Sequence, residues 1–203
     1  MRWIAKRVML KPPHGEYGEG EAHSVMDGAL HWLVIPFIEE MKEKYNITKY
    51  YCSRKAIESP RDLSVRIYLR INESQESEIL SRLEEFLEKK KNIVPWKEIR
   101  DEPVLDLELI QQASELALRL IKKYPDSNRS IDPEFRVDLI SGVHALVKLM
   151  QPEQAKKAVH FVANNLGFED SSIISLVPVR QLFHEQDKKL GILKSIWKWL
   201  KRY

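Results

Sequence analysis

Cysteine is nearly absent: Cys52 is the single one in 203 residues. That excludes an intramolecular disulfide, a thiolate metal cluster and a Cys-x-x-Cys redox pair, and it suits a reducing cytoplasm. Glycine is scarce, seven in all, which favours a helix-rich architecture. The chain has no Gly-x-Gly-x-x-Gly, no Gly-x-x-x-x-Gly-Lys and no Gly-x-Ser-x-Gly, so dinucleotide, nucleoside triphosphate and serine-hydrolase chemistry lack local support. No two histidines stand at His-x-x-x-His spacing, and no metal or other cofactor is expected. No uncharged apolar run approaches the ~18 residues that a membrane span requires. The opening Met1 to Leu10 carries charges inside its apolar run and lacks a small-residue cleavage site, unlike a secretory signal. Charge of one sign is missing too: 33 basic and 30 acidic residues leave +3, interspersed through the chain, which gives no argument for nucleic acid. The expectation is one compact cytoplasmic domain over residues 1–203, with a homodimer left open.

What is present is a change of period. Residues 62 to 71 alternate strictly, placing Leu63, Val65, Ile67, Leu69 and Ile71 on one face of a strand and Ser64, Arg66, Tyr68 and Arg70 on the other. Trp3 to Leu10 reads as a strand, Ser24 to Lys44 as a helix buried on several sides and kinked at Pro36, and Thr48 to Lys55 as a second strand. Asn72 caps a helix running to about Lys90, and Ile93 to Ile99 reads as an edge strand because of Pro95. The class is therefore α+β: a small mixed sheet with a ferredoxin-like split β-α-β over residues 1–100, then a helical half over 106–203. In that half Leu107 to Lys123, Pro133 to Met150 and Pro152 to Leu166 are helical, with prolines at helix starts. Tyr124 to Arg129 reads as a hinge and Lys11 to Gly20 as a loop. Val179 to Tyr203 reads as a basic helix containing Trp197 and Trp199.

Two constellations bear on chemistry. The polar face of the alternating strand shows two guanidiniums flanking a phenol with no carboxylate between them, a surface able to receive an anion; Arg54, if on a neighbouring strand, adds a third arginine. His144 sits just beyond the stripe of Phe135, Leu139, Val143, Val147 and Met150. That places it at a core edge, where a neutral imidazole nitrogen can serve as acid or base. Arg136 falls within the same stripe, where a guanidinium needs a carboxylate or lines a polar pocket.

With Arg54, Arg66 and His144 in this order, the chain resembles the thiopeptide-type bacteriocin biosynthesis family, the glutamate-elimination half of split lanthipeptide dehydratases. Tyr50-Tyr51-Cys52-Ser53-Arg54-Lys55 is similar to its aromatic-aromatic-x-Arg-Tyr strand, and Leu63-Ser64-Val65-Arg66-Ile67-Tyr68 to its Pro-His-Leu-Arg-Leu-Arg strand. Ala113 to Leu118 is similar to its Asp-Ser-Glu-Ala-Ala-Leu helix, and Ser141 to Lys148 to its Ser-x-x-His-x-x-x-Asn-Arg segment. The resemblance implies a lyase that eliminates glutamate from a glutamylated Ser or Thr of a precursor peptide, or a related cycloaddition, without a cofactor. His144 would be the base and Arg54 and Arg66 the anion clamps, with Tyr68, Arg70 and Arg136 binding substrate. The implied partners are the precursor peptide and a separate glutamylating enzyme. Lys55, Ser64, Tyr68 and Val147-Lys148 stand where the family has Tyr, His, Arg and Asn-Arg. Those departures point to the alternative: a non-catalytic subunit of the same fold that binds a peptide or partner.

Overall fold

The computed structural model describes residues 1–11, 19–54, 63–103, 108–126, 129, 131–148, 150 and 152–168. Strand β1 (Arg2–Leu10) leads into α1 (Glu19–Ala29), a π-helical turn (Leu30–Val34) and α2 (Ile35–Tyr45), followed by β2 (Tyr50–Arg54) and β3 (Ser64–Ile71). A 3-10 turn (Glu73–Gln75), α3 (Glu76–Lys90) and β4 (Trp96–Asp101) complete the first half, and α4 (Glu108–Lys123), α5 (Pro133–Val147) and α6 (Pro152–Leu166) form the second. The four strands are antiparallel in the order β2-β3-β1-β4, which is the split β-α-β arrangement. The protein is thus α+β. The expected basic helix from Val179 and residues 12–18 of the expected loop lie outside the described residues, while Glu19 and Gly20, expected in that loop, begin α1.

Local chemistry explains the boundaries. Pro36 offers no N–H to the carbonyl of Trp32, and its ring crowds that carbonyl. The wider π turn over Leu30–Val34, immediately upstream, absorbs the conflict that the sequence predicts as a kink. Asn46 ends α2 in the left-handed region at φ 52°, a conformation asparagine tolerates well. Asn72 and Gln75 exchange a capping box ahead of α3, and the Asp132 carboxylate accepts the Glu134 and Phe135 N–H groups at 2.8 and 3.3 Å ahead of α5. Pro95 directly precedes β4, an edge strand, as a residue without a ladder donor should.

The alternation of β3 determines the core. Val65, Ile67, Leu69 and Ile71 are buried with Val8, Leu10 and Cys52 among Met26, Leu33, Phe37, Met41, Ile79, Leu83 and Leu87 from the helices. The outer edge of β2 is closed by side chains rather than by another strand. Ser114 on α4 accepts the Cys52 N–H at 2.9 Å, and Asn165 on α6 accepts the Arg54 N–H at 3.1 Å. Both polar residues are buried, so these two backbone donors find partners where water is excluded. The two halves are joined along that edge.

Cys52, sealed beneath Ser114, carries a testable consequence. Burial pushes its thiol up to about 12, with the Ser114 hydrogen bond opposing the shift. A thiol whose folded pKa exceeds its unfolded one holds a proton that the unfolded chain has already released, so stability falls as pH rises from about 9 towards 12. Urea titrations across that range should show a shallower alkaline loss in Cys52→Ala than in the parent.

The helical half packs closely. A Cβ built on Gly142 of α5 would lie 2.4 Å from Leu116 Cδ1 of α4. Gly142→Val should therefore cost about 1–3 kcal/mol by overpacking, read as a lowered denaturation midpoint. Gly142→Ala should cost less, because its helix propensity offsets part of the displacement of the Leu116 side chain.

Candidate functional site

The pairing register decides which sequence-predicted residues meet. Arg54 lies opposite Val65, whereas Ser53 lies opposite Arg66. Residues directly opposite share a face, so Arg54 points to the side of the sheet that packs on α1, α2 and α3 and Arg66 to the other. The three arginines expected on one surface are thereby divided. His144 is exposed on α5, a helix packed on α4 and α6, not at a core edge. Arg136 is exposed on the same helix and is not held within its apolar stripe. Arg54, Arg66 and His144 do not line one concavity.

Arg54 is 2% exposed and bonded to Asp27 of α1, whose other carboxylate oxygen takes a bond from Arg129; Asp27 and Arg129 are 4% and 3% exposed. Arg129, at the end of the segment that reads as a hinge, is instead an anchor, its Nε also donating to the Asp126 carbonyl at 2.9 Å. Two guanidiniums thus share one carboxylate, and among the described residues Nε and Nη1 of Arg54 and Nη1 of Arg129 have no acceptor. Burial, reinforced by Arg129, pushes the Arg54 pKa down; burial does the same to Arg129. Chemically, the arginine that the resemblance assigns to a departing carboxylate is already occupied by a carboxylate of this chain.

The opposite face holds a different array. Arg66 lies across from Arg7 of β1, and Arg7 across from Arg100 of β4, so three guanidiniums form one cross-strand row. Like charges directly opposed are unfavourable, and two acids reduce the conflict. Glu102 accepts from Arg66 Nε at 3.2 Å and stands 3.5 Å from Arg7 Nε, while Glu98 pairs with Arg100. Arg7 also donates to the Ser64 hydroxyl at 2.9 Å. Beside it Tyr68 stacks on Tyr51 with ring centroids 4.0 Å apart, and Trp3 tilts against Tyr51 at 5.6 Å. Trp3 lies across from Arg70, which is half-buried.

Tyr68 departs from the expectation of a cleft-facing side chain. It is 1% exposed, in a small second core with Ala5, Tyr51, Ile110 of α4 and Phe161 of α6. Burial raises its phenol pKa, with Arg66 opposing. Among the described residues no group of three His, Cys, Asp or Glu side chains is placed to hold a metal ion, and no helix is long and apolar enough to cross a membrane. Arg7, Arg100 and Glu102 escaped the sequence reading, as did Asp27 and Arg129. Arg7 left a signal in the alternation of Trp3, Ala5, Arg7 and Met9 against Ile4, Val8 and Leu10. Asp27 left another, as a lone carboxylate among the apolar residues of a helix expected to be buried on several sides.

No family model matches the chain, and neither does any curated protein. Among solved structures it is similar to one titled "Crystal structure of TsrL", at 12% sequence identity and a TM-score of 0.39, over 99% of this chain and 59% of that chain's length.

Proposed function

We propose that this protein is a peptide-binding subunit of a peptide-maturation system, and that it holds an acidic segment of a precursor peptide against the row formed by Arg66, Arg7 and Arg100. The observation that carries the reading is the register: it turns Arg54 away from Arg66 and onto Asp27. Elimination of glutamate needs a base at the α-proton and cationic donors at the departing carboxylate within one site. Here the two arginines are on opposite faces and His144 is exposed on a helix packed against other helices. The row itself suits binding. Arg66 and Arg7 are held by Glu102 and Ser64, so these two guanidiniums offer oriented donors at little further cost in side-chain entropy.

Fluorescence anisotropy with a labelled glutamate-rich peptide tests the reading. Binding is expected to weaken as salt rises, to weaken further in Arg7→Ala and Arg66→Ala, and to persist in His144→Ala. Mass spectrometry of a Ser- or Thr-glutamylated peptide incubated with the protein should show the glutamyl group retained. Loss of glutamate that depends on Arg54, Arg66 and His144 would restore the elimination reading.

A further inference from the structure

The sheet has a second surface, of opposite sign, that no part of the reading above uses. Between α3 and the outer strand β4 runs a groove of about 480 Å³, walled by Glu84, Glu85 and Glu88 and floored by Trp96 and Ile99. Its volume lies within the range of ligand clefts. Three features give it chemical character.

The first is an orphan donor: the Trp96 indole N–H is buried and has no acceptor among the described residues. A buried donor left unpaired is costly, so an arriving carbonyl oxygen gains what the described residues leave unsatisfied. The second is charge. The three glutamates are exposed along α3; Glu85 meets Arg82 at 2.7 Å and Glu88 meets Lys91 at 2.8 Å, while Lys91 also stands 5.6 Å from the centre of the Trp96 ring. An ammonium of the protein's own thus already shows how a cation sits between this ring and the Glu88 carboxylate. The third is the strand edge. The Glu102 N–H turns inward to the Ala5 carbonyl at 3.1 Å, so strand alternation turns the backbone groups of Ile99 and Asp101 outward. No strand among the described residues pairs with that side. Pro95 and the register shift near Trp96 confine the pairable stretch to the end of β4.

We propose that this groove docks an extended segment of a partner protein carrying Lys or Arg at alternate positions. The segment adds as a short fifth strand beside Ile99 and Asp101, one of its carbonyls accepts the Trp96 N–H, and the side chains on its helix-facing side reach Glu84, Glu85 and Glu88. Period-two alternation makes this specific, because a strand laid on β4 presents every second residue to α3. The proposal does not depend on the arginine row, which lies on the opposite face of the sheet and would take an acidic peptide.

The test is anisotropy with a labelled, acetylated and amidated peptide of alternating Lys and Val. Its controls are the same peptide N-methylated at alternate residues, which cannot pair along the strand edge, and an alternating Glu and Val peptide. The Lys peptide is expected to bind. Binding should fall about tenfold in the Glu84→Gln, Glu85→Gln, Glu88→Gln triple variant, whose substitutions are on an exposed helix face. It should fall also in Trp96→Phe, which keeps the ring and removes the donor, and on N-methylation. Arg7→Ala and Arg66→Ala should leave it unchanged while weakening the Glu peptide, which separates a failure here from a failure of the arginine-row reading. Absence of Lys-peptide binding, or binding indifferent to both the triple variant and N-methylation, would overturn the proposal.

Discussion

Asp27→Asn is expected to cost about 3–5 kcal/mol, a large fraction of the stability of a domain this size. Asp27 is the carboxylate shared by Arg54 and Arg129, and all three are almost wholly buried. Removing its charge leaves two guanidiniums in the interior facing one neutral amide, with three of their nitrogens already lacking acceptors among the described residues. Arg129→Met is the informative partner: it removes the surplus cation and one orphan donor, keeps much of the side chain's volume, and leaves Arg54 and Asp27 matched one to one. It should cost clearly less. Urea denaturation followed by circular dichroism measures both, and an Arg129→Met penalty as large as that of Asp27→Asn would show that volume, not charge, governs this cluster.

The division between what could be read and what could not follows from periodicity. Five aliphatic residues at every second position left one solution for β3, and Val65 and Ile67 are buried accordingly. In β2 both faces are apolar or aromatic, Tyr50 and Cys52 on one and Tyr51 on the other. A one-residue slip moves every side chain across the sheet, so the face of Arg54 could not be read without the pairing to β3. Helix starts were legible at Asp132-Pro133 because capping and proline chemistry are local. The position of His144 was not: it lies just past the apolar stripe of α5, and only the neighbours of that helix decide whether such a position is core edge or surface. The arginine row was hidden for a different reason. Arg7, Arg66 and Arg100 stand on three separated segments, and only strand order and register bring them together.

The second large effect is expected at Tyr68. As a substrate-binding residue it would tolerate truncation, with the loss appearing in affinity; as a core residue its loss appears in stability. The structure favours the second outcome, because Tyr68 is buried, stacked on Tyr51 and grouped with Ala5, Ile110 and Phe161 where the sheet meets α4 and α6. Tyr68→Ala should cost about 3–5 kcal/mol, the transfer term and the cavity adding together. Tyr68→Phe retains the stack and gives up only the hydroxyl, so it should cost about 1 kcal/mol. Because Tyr68→Phe leaves Arg7, Arg66 and Glu102 with their mutual contacts, the variant should also bind the acidic peptide as the parent does. Denaturation curves and anisotropy on the same preparations separate the alternatives. A stable Tyr68→Phe that has lost the peptide would make the phenol part of the binding surface, and a Tyr68→Ala that melts with the parent would remove the second core from the account of how the helices hold this face of the sheet.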